Sequence, residues 1–516
     1  MDDSKAKSWD FPIASKVAHP SLPILGGVIP LLIVLQLFRT YWRLRHIPGP
    51  FWARFTNIQR MLWVRTKEAQ LVHQRIHEQY GPVVRTGPNM VMFNDPAAIP
   101  IVHTMRRGFP KSPFYHIFQT YTPSGPAITA FNATDEDGLK KVKAPVAPLF
   151  SATNVMSFEP IVDDVLDCFV DNIDKRFLKH ATIFDIAKWF QYYAFDVMGM
   201  LTFSKRYSFL DAGEDVGGML GAIYGYMDYA AELTQIPWVD RVLYKNWLAH
   251  SIRRAASQPL YKVVANAVQE RQGLMEKGIR FSGRTDFLAK YIQIAAEHHG
   301  DELPPGIVGN WTFTNIIAGS DSVGITLTTM IYNLYQNPKD LERLQTELRS
   351  ANLSKPHAKL SEIQNLPFLD ACMWEALRMH PAFSLPFERV VPKGGITIGE
   401  YYIPEGTWVG GNPYGVNRHK STFGADAEFW RPERWLEGDE RHRHQMKQSN
   451  LTFGAGFRIC LGRHIGILEI KKMISMLVLD YEAKLVNPTL FKVENCWLFK
   501  QKGCYVRIKK AAEAVI

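Results

Sequence analysis

The 516-residue sequence has few cysteines, no long charged block and only one long apolar run. Its five cysteines, Cys168, Cys372, Cys460, Cys496 and Cys504, are odd in number and widely scattered. No CxxC pair and no Cys/His metal spacing occurs, so neither a disulfide framework nor a zinc domain is suggested. A reducing compartment suits such a chain, with four of the five cysteines serving as ordinary apolar residues. No repeat and no low-complexity linker is found past residue 50, and one large compact domain is the simplest organisation. With 46% hydrophobic and 21% charged residues, the composition is that of a globular protein with a sizeable core. The formal net charge of +10 leaves nucleic acid, a membrane surface and an acidic protein open as partners. No nucleic-acid motif appears and the basic residues are dispersed, so no nucleic-acid partner is expected.

The one long apolar run, Leu22 to Phe38, spans 17 residues without a charge. That is the short end of a membrane span, and Pro23, Gly26, Gly27 and Pro30 weaken it as a helix. It begins late and lacks the small-residue cleavage site of a signal peptide. Arg39, Arg43 and Arg45 follow it, a charge bias that keeps the bulk of the chain cytosolic. A buried core helix is the alternative. The expected division is a tail and transmembrane anchor over residues 1–46, with the span at about 22–38, and a catalytic domain over 47–516. Between them, Ile47-Pro48-Gly49-Pro50 breaks any helix and sets a stiff turn.

Further along, the periodicity predicts a helix from Gln70 to Tyr80. A short β-hairpin follows over Tyr80–Pro88 and Val91–Asn94. Residues Arg107 to Phe131 are aromatic and irregular. The Gly- and Met-rich stretch 216–248 suits either a mobile lid or a pair of core helices. Ile307 to Tyr335 is long and apolar enough to be a central, buried helix. Ile465, Leu468, Met473, Ile474 and Leu477 follow helical spacing, and Trp497 to Arg507 reads as a closing hairpin around Gly503.

Three constellations carry chemistry. The stretch Leu451-Thr-Phe-Gly-Ala-Gly-Phe-Arg-Ile-Cys460-Leu-Gly-Arg-His-Ile-Gly466 holds one cysteine among glycines, directly before a helical pattern. Glycines let backbone approach a large flat ligand, and a cysteine before a helix start is favoured as thiolate. Ala318-Gly319-Ser320-Asp321-Ser322 places an acid and an alcohol inside the central helix. A buried carboxylate needs a partner, and a hydroxyl there can open the helix locally. Glu375 and Arg378 share one helix face at i and i+3, and Arg434 lies 56 residues further on.

Phe453-Gly454-x-Gly456-x-Arg458-x-Cys460-x-Gly462 resembles the haem-binding loop of the cytochrome P450 family. With the other motifs in family order, the resemblance covers about Pro48 to Arg507 and the anchor. It implies a mainly α fold with a small β region, a single large haem domain built around haem b. Cys460 would be the axial ligand, its thiolate pushing electron density onto iron and favouring O–O cleavage. Phe453, Gly454 and Gly462 would line the haem. Arg389 and Arg458 would bind its propionates, as would Lys143, which lies where the family usually offers Trp or His and Arg. Asp321 and Ser322 would relay protons, with serine where the family has threonine. Glu375, Arg378 and Arg434 would brace the cysteine loop without doing chemistry. The loops near 107–131 and 216–248 would cover the distal pocket.

The reaction implied is insertion of one oxygen atom from O2 into an apolar organic substrate. Electrons would come from NADPH through a membrane-bound cytochrome P450 reductase. The placement implied is the endoplasmic reticulum membrane, single-pass, with the catalytic domain cytosolic. Several stretches resemble fungal members, the pisatin demethylase-like group in particular, which implies secondary metabolite biosynthesis. Xenobiotic detoxification, a haem-thiolate isomerase or dehydratase, and a haem-based sensor stay open.

Overall fold

The computed structural model describes residues 21–105, 108–119, 121–122, 125–243, 245, 259–277, 286–298 and 303–511. Seven helices position the site: α1 (Ser21–Arg43), α2 (Glu136–Lys143), α3 (Ile186–Phe203), α4 (Met219–Leu233), α5 (Ile307–Gln336), α6 (Pro367–Met379) and α7 (Arg463–Asp480). The axis is α5, 30 residues long and buried along most of its length. It ends at Asn337, where Pro338 starts the next helix and cannot extend the last. Gly319 and Gly324 let α3 run close beside it, against Met198 and the backbone of Gln191. Helices α6 and α7 also pack on α5. Phe169, Phe190, Phe195, Met330, Leu334 and Met473 are fully enclosed in one core cluster. Each such side chain contributes about 2–3 kcal/mol on leaving water.

The β part is small, as expected of this fold class. Val83–Gly87 and Met90–Phe93 form the expected hairpin. Trp408–Gly411 adds to it in parallel, and Arg389–Val390 closes the sheet antiparallel. Arg85 lies fully buried within this sheet and meets no carboxylate. Its guanidinium donates to five carbonyls: Thr40 and Tyr41 at 3.1 and 3.2 Å, Arg54 at 3.2 Å, Gly87 at 3.3 Å and Pro88 at 2.8 Å. Burial, with Arg54 nearby, lowers its pKa to about 10. The end of α1 is thereby tied to the sheet, and Arg43 adds bonds to Glu405 O and Thr407 Oγ1 at 2.7 and 3.2 Å.

The run 22–38 lies within α1, yet among the described residues no helix is long and apolar enough to cross a membrane. Stretch 216–248 forms α4 and a second helix, Pro237–Leu243; residues 244 and 246–248 lie outside the described residues. Between Arg107 and Phe131 the one longer element is the 3-10 turn Pro113–Phe118, with residues 107, 120, 123 and 124 outside the described set. The closing hairpin differs from expectation. Lys492–Cys496 pairs with Leu498–Lys502 across Trp497, not across Gly503. Gly503, at φ +78°, is the corner where the chain leaves that hairpin. A Cβ there would strike the carbonyl of Leu490, and Tyr505–Lys510 goes on to pair with Tyr481–Leu485.

Candidate functional site

The cysteine loop is held by its own backbone. Gly454 and Gly456 sit at φ +66° and +65°, where a side chain would be strained. The Gly454 amide donates to Leu451 O at 2.8 Å and the Cys460 amide to Phe453 O at 2.9 Å. A Cβ on Gly456 would strike the carbonyl of His103, and Phe457 N–H donates to Thr104 O at 3.1 Å. Cys460 precedes α7, whose N-cap is Gly462. Its thiol is exposed, while three other cysteines are buried and Cys168 is half-buried. The surrounding protein raises the thiol's pKa; amides of Gly462 and Arg463 and the Lys143 and Arg463 charges pull it down. Those opposing groups are the ones that would hold a thiolate against a cation or metal. Phe453 meets Trp374 edge-on at 6.3 Å.

Sequence reasoning left Asn417 without a role, but it anchors the loop's start. Its Oδ1 accepts from Leu451 N–H at 2.8 Å, and its amide donates to Thr452 Oγ1 at 2.9 Å.

Behind the loop, Glu375, Arg378 and Arg434 meet as the spacing predicts. Arg378 grips Glu375 through Nε and Nη2, both at 2.8 Å, and Arg434 Nε reaches Glu375 Oε1 at 3.1 Å. Trp435 Nε1 and the Arg431 amide complete the carboxylate, each at 2.9 Å. Burial alone would raise the Glu375 pKa, but the Arg378 and Arg434 guanidiniums outweigh it and hold the carboxyl below its usual range. Arg378 further donates to Ala427 O at 2.6 Å and to Asn417 O and Phe429 O at 3.1 Å. Arg434 Nη1 also pairs with Asp426 Oδ1 at 3.0 Å, so two carboxylates face the two guanidiniums.

A second buried cluster is different. Arg389 and Arg458, both singled out by the sequence, lie near Lys111 and His103, which were not. Lys111 stands opposite Arg389 in an isolated antiparallel bridge. Thr134 O accepts from both the Lys111 amide, at 2.9 Å, and Arg458 Nη2, at 3.0 Å. Among the described residues none of these cations makes an ion pair. Burial, then Arg389 and Arg458, pushes the Lys111 ammonium pKa well down. Arg458 falls to about 10 through burial and Arg389. The His103 pKa is lowered by burial and by Arg389 and Lys111, and among the described residues neither of its ring nitrogens has a hydrogen-bond partner. Lys143 lies at the edge, donating to Phe457 O at 2.7 Å and Ile459 O at 3.3 Å. No sequence signal marked Lys111 or His103, because the cluster is assembled from segments far apart in the chain.

On α5, Ala318 is exposed in mid-helix and Ser322 is half-open. Ser322 Oγ donates back to Ala318 O at 2.8 Å. The Asp321 carboxyl turns the other way and is 2% exposed. Its Oδ1 accepts from Gln191 Nε2 of α3 at 2.5 Å and, at 3.5 Å, from Tyr224 Oη of α4. Burial raises its pKa to about 6 against these two hydrogen bonds. The acid and the alcohol are therefore adjacent in sequence but bonded to different partners.

An exposed cysteine at a helix start, a continuous central helix whose Ala318 face is exposed, and a cationic cluster without an acid among the described residues fit haem: a ligand for iron and counter-charges for propionates. Fold and site define an α-rich haem-thiolate oxidoreductase. The cytochrome P450 family model matches residues 48–505, and the chain belongs to that family. It is 54% identical over 504 residues to the cytochrome P450 monooxygenase mfmA of Annulohypoxylon moriforme, covering 96% of this chain and 98% of that one. It is 46% identical over 504 residues to the monooxygenase pkfB of Emericella nidulans, with the same coverage. To the longer monooxygenase mpaDE of Penicillium roqueforti it is 45% identical over 500 residues, 95% of this chain and 58% of that one. The family uses haem with a cysteine thiolate on iron.

Proposed function

We propose that this chain is a monooxygenase of fungal secondary metabolism, with Cys460 as the iron ligand. One atom of O2 enters a C–H bond of an apolar organic substrate and the other leaves as water. Two electrons from NADPH, delivered by a cytochrome P450 reductase, and two protons balance the reaction. The observation that carries this is the exposed Cys460 thiol at the start of α7, ringed by N–H donors and cations. Bound haem supplies oxygen activation through its iron and thiolate. The protein's own groups do the rest. Arg389 and Arg458 would hold the propionates, Lys143 ties the cysteine loop through the Phe457 and Ile459 carbonyls, and Phe453, Gly454 and Gly462 would shape the loop that faces the group. Glu375, Arg378 and Arg434 keep that loop rigid. Asp321, protonatable near neutral pH, would accept and return protons at Oδ2, which has no hydrogen-bond partner among the described residues, while Ser322, its hydroxyl hydrogen given to Ala318 O, presents Oγ lone pairs on the half-open side of α5.

The biosynthetic role is supported by fungal monooxygenase relatives matched along nearly their whole length. Attachment to the endoplasmic reticulum membrane through the N-terminal segment, with the domain 47–516 cytosolic, is supported by the exposed apolar face of α1. Its Leu31, Leu32, Val34, Leu35 and Phe38 are all more than half exposed, a face that would suit lipid.

Purified protein with reductase should consume NADPH and O2 and yield a product carrying one oxygen from O2. A product without new oxygen and no NADPH used overturns the monooxygenase reading. Cys460→Ala should abolish the strongly red-shifted carbon monoxide spectrum of a thiolate haem; a persisting shift means another residue is the ligand.

A further inference from the structure

We propose that Lys111 is a haem-propionate-binding residue, and that it does the work expected of Lys143. This role presupposes the haem reading above. Lys111 is 7% exposed, its main chain fixed by the Thr134 carbonyl and by the bridge to Arg389. The ammonium sits 3.9 Å from the ring centre of Tyr115 and 4.5 Å from that of Phe131. It donates one N–H to Phe131 O. An ammonium has three donors, so two remain for a ligand.

Lys111 and Arg389, both buried, and the half-buried Arg458 thus put three cationic groups near one another, with no ion pair to any of them among the described residues. A buried charge is tolerated only with a counter-charge. His103, 4% exposed and with neither ring nitrogen hydrogen-bonded among the described residues, adds a polar group beside them. Such a set calls for a ligand with two carboxylates, which haem carries. Lys143, by contrast, is already engaged by the Phe457 and Ile459 carbonyls of the cysteine loop. An acidic substrate has the same carboxylate chemistry. The haem edge is favoured because Arg458 belongs to the loop that bears Cys460, which fixes the cluster to the thiolate's surroundings.

The test uses the full-length holoprotein, with excess apomyoglobin as haem acceptor. Lys111→Met should lose haem about tenfold to a hundredfold faster than the parent, the scale of a lost charge-assisted hydrogen bond. Lys111→Arg should restore most of the retention, and Lys143→Met should have the smaller effect. The propionate-bending band in the resonance Raman spectrum should shift in Lys111→Met. Unchanged haem loss together with an unmoved band overturns the proposal. Loss of a substrate-induced spectral shift with haem loss unchanged also overturns it, in favour of an acidic substrate. If Lys111→Met yields no holoprotein, Lys111→Gln, which keeps a donor to Phe131 O, is read by the same two criteria. A parent protein that binds no haem at all would instead overturn the cofactor reading.

Discussion

Two buried charge assemblies lie on either side of the cysteine loop, and they are built on opposite principles. Around Glu375 an acid, two guanidiniums, an indole N–H and a backbone amide close on one another. Around Lys111 and Arg389 the positive groups converge on carbonyls and rings and no acid completes them. Lys111 and Arg389 are buried like Glu375, Arg378 and Arg434, so for them the difference is not solvation. A closed assembly is a structural part. An open one of the same burial marks where something anionic belongs. Asp321 falls between them, an acid whose partners are neutral.

The largest effect should come from opening the closed assembly. Glu375→Ala leaves Arg378 buried without its carboxylate and Arg434 with Asp426 alone, and should destabilise the protein by about 3–5 kcal/mol. Near-parental stability in urea would show that the brace is dispensable. Asp321→Asn tests the intermediate case, through pH. The Asp321 pKa is raised from 3.8 to about 6 by burial. The neutral acid is therefore the form that favours folding. Its contribution is full below about pH 4, is lost as pH rises through about 6, and leaves a penalty of about 3 kcal/mol at pH 7. The Asn variant should be more stable than the parent at pH 7 by up to that amount and nearly equal to it at pH 4; equal stability at both would contradict the assignment.

For the open assembly the sign should depend on haem. Arg458→Met should leave the haem-free chain unharmed or steadier, yet speed haem loss about tenfold. A variant destabilised in both states would place Arg458 with the brace, ending the contrast. The smallest effect belongs to Tyr224→Phe. Its hydroxyl lowers the Asp321 pKa, so removing it should move the midpoint of the pH-dependent stability to higher pH. A midpoint moving down would exclude that hydrogen bond.

What could be read from the sequence was whatever chemistry ties to fixed residue types at fixed spacing. Cys460 with its glycines, the Glu375–Arg378 pair and the Asp321–Ser322 step are local, and the long helix around the last was readable from its unbroken apolar run. The open cluster was only half legible. Arg389 and Arg458 stand in motifs, but Lys111 comes from an irregular aromatic segment where a lone cation looks like solvated surface, and His103 closes the short helix Ile99–Val102, with no motif around it. Lys143 was placed by analogy, and its ammonium meets loop carbonyls. The turn at Trp497 was hidden for another reason. Its φ of +69° is a conformation sequence rules assign to glycine, so Gly503 attracted the prediction instead. The strain is offset by ring packing on Phe118 and Phe383 at 4.5 Å and Phe131 at 5.1 Å, which is invisible before the chain is folded.

Arg85 carries one more consequence. By gathering carbonyls from Thr40, Tyr41 and Arg54 onto strand Val83–Gly87, it makes the join between α1 and the body a welded bracket instead of a swivel. The body must then inherit the tilt of α1. Freeing the Arg85 guanidinium would leave Arg43, with its bonds to Glu405 O and Thr407 Oγ1, as the remaining side-chain tie from the end of α1 to the sheet region.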